Sequence, residues 1–144
     1  FSKIYLYEII EQVLELSKFK KKEIKINCPK NLSVQTDKNS LFRIIFNLFE
    51  NAARYGTKIE ISAKKNIQFI IIEIEDNGPG IENQYRKKIF KPFYKIDNSR
   101  NLNKSGSGLG LSIAKELSKK IKAKISYKIS KRLNGSLFSI TIPS

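Results

Sequence analysis

The spacing of apolar residues predicts three long helices in this chain. Apolar side chains recur every three or four residues over 5–19, from an N-cap at Asp37 to about residue 55, and over 109–122. Each segment therefore has one face to bury against a core. The stripes expected to face that core are Ile9, Val13 and Leu16 in the first segment, Leu41, Ile45, Leu48 and Ala52 in the second, and Leu109, Ile113 and Leu117 in the third.

Shorter segments between and after these helices have the patterns of β-strands. The run 69–75 is more continuously apolar than the others, which is typical of a central strand. A C-terminal hairpin is indicated by two alternating segments with a turn near Asn134-Gly135. The strand segments are 24–28, 33–36, 58–63, 69–75, 125–129 and 138–142.

The remaining segments complete the predicted architecture. A short helix is predicted over 83–90, and the polar, glycine-containing residues 95–107 predict a mobile loop. Because helices and antiparallel hairpins are mixed along the chain, the predicted fold class is α+β. We expect a two-layer α/β sandwich, with a mixed, mostly antiparallel sheet and the helices on one face.

Composition adds constraints to this outline. The 144 residues, 40% of them hydrophobic and 28% charged, fit one globular domain over 1–144. A net charge of +15 is typical of a protein with an anionic partner, but the lysines are scattered, which favours an ordinary solvated surface for most of them. Histidine is absent, which excludes histidine zinc sites, Ser-His-Asp triads and histidine bases within the chain. Cys28 is the single cysteine, so no internal disulfide can form.

One polar stripe on the second helix has the chemistry of a metal and phosphate site. Asn47, Asn51 and Arg54 fall at i, i+4 and i+7, roughly 120° around the helix from the core stripe. An asparagine oxygen is a suitable ligand for Mg²⁺, and an arginine fork suits a phosphate. Tyr55 follows directly and could cover a base or ribose. A solvated amphipathic face would give the same pattern.

The turn Asp76-Asn77-Gly78-Pro79-Gly80-Ile81 follows the central strand. Its glycines let the backbone approach a ligand closely, and Asp76 can accept a hydrogen bond from an exocyclic amine such as that of adenine. An ordinary tight turn favours the same residue types.

Two further motifs lie on either side of the predicted loop. Residues 106–111 form a Gly-x-Gly-x-Gly sequence that opens the third helix, where backbone N–H groups can bind phosphate. Residues 89–94 are rich in aromatic side chains, which are typical either of a docking surface or lid hinge or of a small core beneath a loop.

Together, and in this order, these motifs resemble those of sensor histidine kinases. Residues 47–55 resemble the N box of that family, 76–81 the G1 box, 89–94 the F box and 106–111 the G2 box. Residues 135–138 are similar to the last glycine motif, with Leu137 where Thr or Ser is common. The resemblance covers nearly the whole chain. It implies the catalytic and ATP-binding domain of a bacterial two-component histidine kinase, with the Bergerat-type fold shared by gyrase, Hsp90 and MutL.

The resemblance also implies roles for individual residues. Asn51 would bind Mg²⁺, Asn47 would support the metal and phosphates, and Asp76 would bind the adenine amino group. Segment 94–107 would be the ATP lid, with Lys95 where the family often carries an Arg near the γ-phosphate and Arg100 as a second lid cation. The implied catalytic residues are Asn47, Lys95 and Arg100. The other implied ATP-binding residues are Arg54, Tyr55, Gly78, Gly80, Ile81, Gly106, Gly108, Leu109 and Gly110.

The expected function is transfer of the γ-phosphate of Mg–ATP to a histidine. The family's acceptor histidine lies in a separate helical dimerisation domain, so the expected partners are ATP, that domain outside this chain and, through it, a response regulator. A homodimeric parent protein anchored in the bacterial inner membrane, with this domain in the cytoplasm, is also implied.

Other readings stay open from sequence. A hydrolytic ATPase of the gyrase, Hsp90 or MutL type and an anti-sigma serine kinase share the nucleotide motifs. Hydrolytic relatives carry a Glu one helical turn before the metal-binding Asn, and here that position is Asn47. A nucleic-acid-binding module would fit the charge, but no helix-turn-helix, zinc or stacking motif is present, so nucleic acid is not expected.

Overall fold

The computed structural model describes residues 1–94 and 109–144 of the chain. Within these ranges the protein forms strands and helices in one α+β arrangement. The strands are β1 Ser2–Tyr5, β2 Glu23–Asn27, β3 Ser33–Thr36, β4 Lys58–Lys65, β5 Phe69–Asp76, β6 Lys124–Ile129 and β7 Ser136–Pro143; the helices are α1 Leu6–Leu16, α2 Lys38–Tyr55 and α3 Gly110–Lys120.

The main sheet confirms the predicted mixed, mostly antiparallel arrangement. Its strand order is β2-β4-β5-β7-β6. Only the β2–β4 pair is parallel, whereas β4–β5, β5–β7 and β6–β7 are antiparallel. The predicted central strand, β5, lies in the middle of the five. A separate two-stranded ribbon joins β1 to β3.

The two faces of this sheet differ in polarity because side chains alternate along each strand. On the helix-bearing face, Ile61, Ile74 and Phe138 lie side by side on β4, β5 and β7, and all three are fully buried. The opposite face presents Glu60 next to Glu75 in the same strand register. The single hydrophobic core therefore lies between one face of the sheet and the helices.

Helix α2 is the centre of the helical layer. Its N-cap is Asp37, whose carboxylate accepts hydrogen bonds from the backbone N–H and the side chain of Ser40. The helix contacts α1, α3, β4 and β5. The predicted core stripe is confirmed, with Leu41, Ile45, Leu48 and Ala52 all fully buried.

The predicted apolar stripe of α3 is confirmed only in part, because Leu117 packs against the core whereas Ile113 is exposed. Ile113 is 42% exposed, whereas Ser112, Ala114 and Ser118 are the buried residues of this helix. Small side chains on that face allow α3 to pack closely against α2, with which it is in contact. Close helix packing rather than hydropathy therefore decides which face is buried.

Two local predictions also differ from the structure. Segment 83–90 contains only a 3-10 turn at Asn83–Tyr85 instead of a helix, although Ile89 is buried. Strand β1 was not predicted, because its four residues are extended through pairing with β3, a contact that local sequence does not show. None of the helices in the described ranges has the length and apolar character needed to cross a lipid bilayer.

The assignment of the two faces of β5 predicts unequal effects of truncating neighbouring residues. Ile72 is fully buried on the helix-bearing face, so Ile72→Ala should lower the free energy of unfolding by about 2–5 kcal/mol through lost burial and a cavity. Ile71 lies beside Lys64 and Thr141 on the opposite face, so the matched variant Ile71→Ala should cost about 1 kcal/mol. Urea-induced unfolding measures both, and equal losses would contradict this assignment.

Candidate functional site

The polar stripe of α2 leads from the end of this helix to the start of α3. The Nδ2 of Asn47 donates a hydrogen bond of 3.0 Å to the carbonyl oxygen of Gly110, the first residue of α3. Leu109 is the N-cap residue of α3 and its carbonyl accepts from Ser112 Oγ at 2.9 Å. Two motifs that are 63 residues apart in sequence therefore meet directly.

One turn further along α2, Asn51 is half-buried and its side chain has no hydrogen-bond partner among the described residues. Its amide oxygen is therefore available to a ligand. Within the described ranges, no group of three or more His, Cys, Asp or Glu side chains could hold a metal ion. The amide oxygen of Asn51 is a neutral ligand that fits a Mg²⁺ ion which takes its other ligands from phosphates and water.

The last two predicted residues of α2 lie near its C-terminal end. The guanidinium of Arg54 lies over the ring of Phe19, 5.9 Å from its centroid. The Tyr55 side chain is 38% exposed. The backbone carbonyl of Tyr55 approaches Gly78 so closely that a Cβ at residue 78 would lie 2.9 Å from this oxygen. The end of α2 and the turn after β5 therefore form one surface.

Asp76 is the most buried of the described predicted site residues, with only 2% of its surface exposed. Its Oδ1 accepts hydrogen bonds from the backbone N–H groups of Gly78, at 2.8 Å, and Ser136, at 3.3 Å. Burial raises the pKa of this carboxyl, and the two hydrogen bonds oppose that shift. Both bonds go to Oδ1, so Oδ2 is the oxygen that can accept from a ligand.

The rest of the turn after Asp76 is held from two sides. Gly80 has φ of +74°, a backbone conformation that favours glycine. The next N–H, that of Ile81, donates to the hydroxyl of Tyr127 at 2.7 Å. On the other side, Asn77 Oδ1 accepts from the backbone N–H groups of Thr57 and Lys58, at 2.8 and 3.0 Å. The turn therefore has a fixed shape before any ligand binds.

The structure adds Gly135 and Ser136 to the predicted site. A Cβ at residue 135 would lie 2.2 Å from the Asp76 carbonyl oxygen and 2.6 Å from its Oδ1, so only glycine fits. The sequence predicted a hairpin turn near Asn134-Gly135 and a resemblance of 135–138 to the last glycine motif, but it assigned neither Gly135 nor Ser136 a role in the site. The contact of Gly135 with Asp76 joins residues about 60 positions apart, and local patterns cannot show this.

Several predicted site residues cannot be placed. Lys95, Arg100, Gly106 and Gly108 lie outside the described residues, as does segment 95–107 of the predicted lid. Tyr94, at the start of that segment, is half-buried and packs against the core. In the aromatic segment before it, Phe90 packs edge-on against Phe138, whereas Phe93 is 70% exposed. This segment therefore combines a core residue with an exposed aromatic side chain.

The fold and the motifs agree with comparisons against known proteins. Residues 36–144 match the family described as histidine kinase-, DNA gyrase B-, and HSP90-like ATPases. The chain is 34% identical over 119 residues to histidine kinase P4 of Formosa agariphila, covering 78% of this chain and 8% of that protein. It is 40% identical over 78 residues to the sensor histidine kinase CpxA of Escherichia coli, covering 54% of this chain and 17% of that protein. The chain thus spans a small part of the length of these relatives.

Solved structures give the same assignment. The catalytic domain of the histidine kinase ThkA in a nucleotide-free form superposes with a TM-score of 0.85 at 26% identity, covering 99% of this chain and 95% of that one. The mycobacterial sensor histidine kinase MprB has the same fold, with a TM-score of 0.84 at 23% identity and 99% and 96% coverage. The relatives and solved structures named above are histidine kinases, and the chain therefore belongs to the histidine kinase-, DNA gyrase B- and HSP90-like ATPase family.

Proposed function

We propose that this chain binds Mg–ATP and transfers its γ-phosphate to a histidine of a separate dimerisation domain, as the first step of a two-component phosphorelay. The observation that carries the proposal is the buried Asp76 carboxylate, with Oδ1 held by two backbone N–H groups. It lies where the end of α2 meets the turn after β5. A polar stripe leads from there along α2 to the start of α3.

Adenine recognition is assigned to Asp76. Its Oδ2 can accept a hydrogen bond from the exocyclic amine, and the carboxylate is fixed in orientation by Gly78 and Ser136. Gly78, where a Cβ would meet Asp76 Oδ1 and the Tyr55 carbonyl, keeps this surface free of a side chain, and Gly80 supplies the positive φ of the turn, so the flat base can approach the backbone. Tyr55, at the edge of the same surface, is exposed enough to lie against the base or the ribose.

The phosphates are assigned to the other end of the stripe. Asn51 would hold Mg²⁺ through its amide oxygen, and Asn47 connects this site to α3. Arg54 would contact phosphate from the C-terminal end of α2, on the nucleoside side of Asn51. A bound Mg²⁺ would neutralise phosphate charge. The positive end of the α3 dipole lies at Gly110, which suits phosphate. Lys95, Arg100, Gly106, Gly108 and Leu109 complete the proposed set, with Lys95 and Arg100 acting from the lid at about 94–107.

Phosphotransfer is favoured over hydrolysis by the side chains at hand. Asn47 is an amide with no useful basicity, and its Nδ2 is bonded to Gly110. Glu50, next to Asn51 in sequence, accepts a hydrogen bond of 2.7 Å from Ser17 Oγ. Because Glu50 is turned towards α1, the site has no described base beside Asn51 to activate water. A neutral imidazole from a partner domain is then the better nucleophile.

The proposed partners follow from this mechanism. The acceptor domain would bring its histidine to the phosphate end of the site and would pass the phosphoryl group to a response regulator. The relatives include proteins named as sensors, so we place this chain in the cytoplasm as part of a homodimeric, membrane-anchored parent. Nucleic acid has no assigned role in this proposal.

Removal of the adenine acceptor should weaken ATP binding. Asp76→Ala should cost about 1–3 kcal/mol of binding free energy, because the exocyclic amine loses its charged acceptor. Glu73→Ala removes the same charge from the same strand but on the opposite face, and it should bind as the unmodified chain does. Calorimetric titration with a non-hydrolysable ATP analogue measures both. Unchanged affinity in folded Asp76→Ala would remove Asp76 from the site.

The raised pKa of Asp76 predicts a pH dependence of ATP binding. The ionised carboxylate accepts from the amine, so affinity should persist above the raised pKa and fall as the pH drops through it. The loss of ATP affinity should begin at a higher pH than it would if Asp76 had the usual pKa of an aspartate. Asp76→Asn should lack this component while retaining the titration of the phosphates. Identical pH profiles for the two proteins would contradict the assignment.

Burial of Asp76 gives the stability of the nucleotide-free chain a pH dependence opposite to that of ATP binding. A carboxyl whose pKa is raised by folding binds more protons in the folded state, so stability falls as pH rises from its usual pKa to the raised one. Thermal unfolding of the nucleotide-free chain across weakly acidic pH should therefore show a loss that Asp76→Asn does not show. This comparison needs no ligand and is independent of the binding profile.

The proposed chemistry predicts slow ATP turnover by the chain alone. The purified chain should bind ATP, hydrolyse it very slowly and never label itself on histidine, since it has none. Adding a cognate dimerisation domain should give an acid-labile, base-stable phosphoprotein. Glu50→Gln should leave the slow turnover unchanged. Rapid turnover by the chain alone that Glu50→Gln abolishes would instead establish a hydrolytic ATPase.

A further inference from the structure

Two carboxylates lie side by side on the sheet face opposite the helices. Glu60 of β4 and Glu75 of β5 are direct cross-strand partners, so their side chains share one face. Each residue is only 6% exposed. Like charges at such positions destabilise a sheet, and burial increases the cost of each charge. The pair therefore needs cations close by.

Arg132 supplies the main compensation. Its Nη2 forms an ion pair with Glu60 Oε2 and lies 3.4 Å from Glu75 Oε1, so one guanidinium bridges both carboxylates. Lys25 adds a second cation, 3.6 Å from Glu60. Ser130 Oγ donates a hydrogen bond of 2.6 Å to Glu75 Oε2. These groups lie outside the nucleotide surface, and the proposed mechanism gives them no role.

Arg132 and Ser130 belong to the turn between β6 and β7, which also carries Gly135. The turn is closed by two backbone hydrogen bonds of 2.8 Å, from Ser130 N–H to the Gly135 carbonyl and from Asn134 N–H to the Ser130 carbonyl. Asn134 has φ of +66°, so the backbone is tightly bent there. The backbone of Ser130, at the start of the turn, is therefore bonded directly to the end of the turn.

The end of this turn is the part that touches Asp76. Gly135 has no room for a Cβ against the Asp76 carbonyl and carboxylate, and the following N–H, of Ser136, donates to Asp76 Oδ1. Glu75 immediately precedes Asp76 on β5. The ion pairs of Arg132 with Glu60 and Glu75 lie on one face of β5, and the Asp76 carboxylate lies on the other. Both sets of contacts hold the turn between β6 and β7 against β5.

We propose that Arg132 is a positioning residue for nucleobase recognition. By bridging Glu60 and Glu75 it holds the 130–135 turn on β5, and the turn then presents the Ser136 N–H that orients the Asp76 carboxylate towards an adenine amine. Loss of the bridge lets the turn move, so the carboxylate loses its orientation and the preference for a 6-amino purine falls. This inference rests on the proposed binding of adenine by Asp76.

Comparison of ATP with inosine triphosphate isolates this effect. Inosine carries a carbonyl oxygen at the purine position where adenosine has its amine, so it gains nothing from a well-oriented carboxylate. Arg132→Gln should weaken ATP binding about tenfold and inosine triphosphate binding by less than about twofold, which lowers the selectivity ratio. Displacement of a fluorescent ATP analogue in the presence of Mg²⁺ measures both affinities. A variant that is merely less folded would lower both affinities together.

Two further variants serve as controls. Lys131→Gln removes the same charge from the neighbouring, exposed position of the turn, where no contact is made with either glutamate, and it should keep the selectivity of the unmodified chain. Arg132→Lys keeps the charge but cannot span two carboxylates with a planar fork, so its selectivity should be intermediate. If Arg132→Gln does not fold, as judged by circular dichroism, the Arg132→Lys variant alone decides the question.

The outcomes separate this inference from the proposed function. If Asp76→Ala abolishes selectivity while folded Arg132→Gln and Arg132→Lys retain it, the adenine assignment stands and the role of Arg132 is refuted. If the Arg132 variants lose affinity for both nucleotides equally, the residue is only structural and the inference is also refuted. If Asp76→Ala itself leaves selectivity unchanged, the proposed function fails first.

Discussion

The burial of the Asp76 carboxylate is the constraint on which the rest of the site depends. A carboxylate with 2% exposure costs free energy unless it is hydrogen-bonded, and here two backbone N–H groups supply the bonds. Those groups reach it only because residue 135 has no side chain and because the turn after β5 is held by Asn77 and Tyr127. The strand order of the sheet, the turn between β6 and β7 and the turn after β5 therefore together hold the Asp76 side chain in place.

Helix α2 connects the surface around Asp76 with the proposed phosphate end of the site, next to α3. Its core stripe is fully buried and its contacts reach both helices and two strands, so it is a rigid support. Asn47 and Tyr55 lie roughly 12 Å apart along its axis, a separation on the scale of a nucleoside triphosphate. One helix can thus carry Asn47 and Asn51 towards the phosphate end and an aromatic residue at the nucleoside end, in fixed relation to Asp76. This geometry fits a protein whose task is to position a phosphoryl group.

The sequence predicted the parts of this structure that depend on local pattern. The Asp37 N-cap, the core stripe of α2 and the central strand all follow from hydrophobic period and capping chemistry, and they are confirmed. The α3 stripe was right for Leu117 and wrong for Ile113, because hydropathy ignores the small residues Ser112, Ala114 and Ser118 that this helix buries. The contact of Gly135 with Asp76 and the bridge of Arg132 to two glutamates join distant positions. Only the folded sheet brings these residues together.

The central claim is that Asp76 receives the adenine amine while the α2 stripe holds the phosphate end. A crystal structure of this chain with Mg²⁺ and a non-hydrolysable ATP analogue tests it most directly. We expect Asp76 Oδ2 at about 2.7–3.2 Å from the exocyclic amine, with Mg²⁺ bound to Asn51 and the phosphates. A nucleotide bound with its base away from Asp76, or with its phosphates away from Asn51, would contradict it.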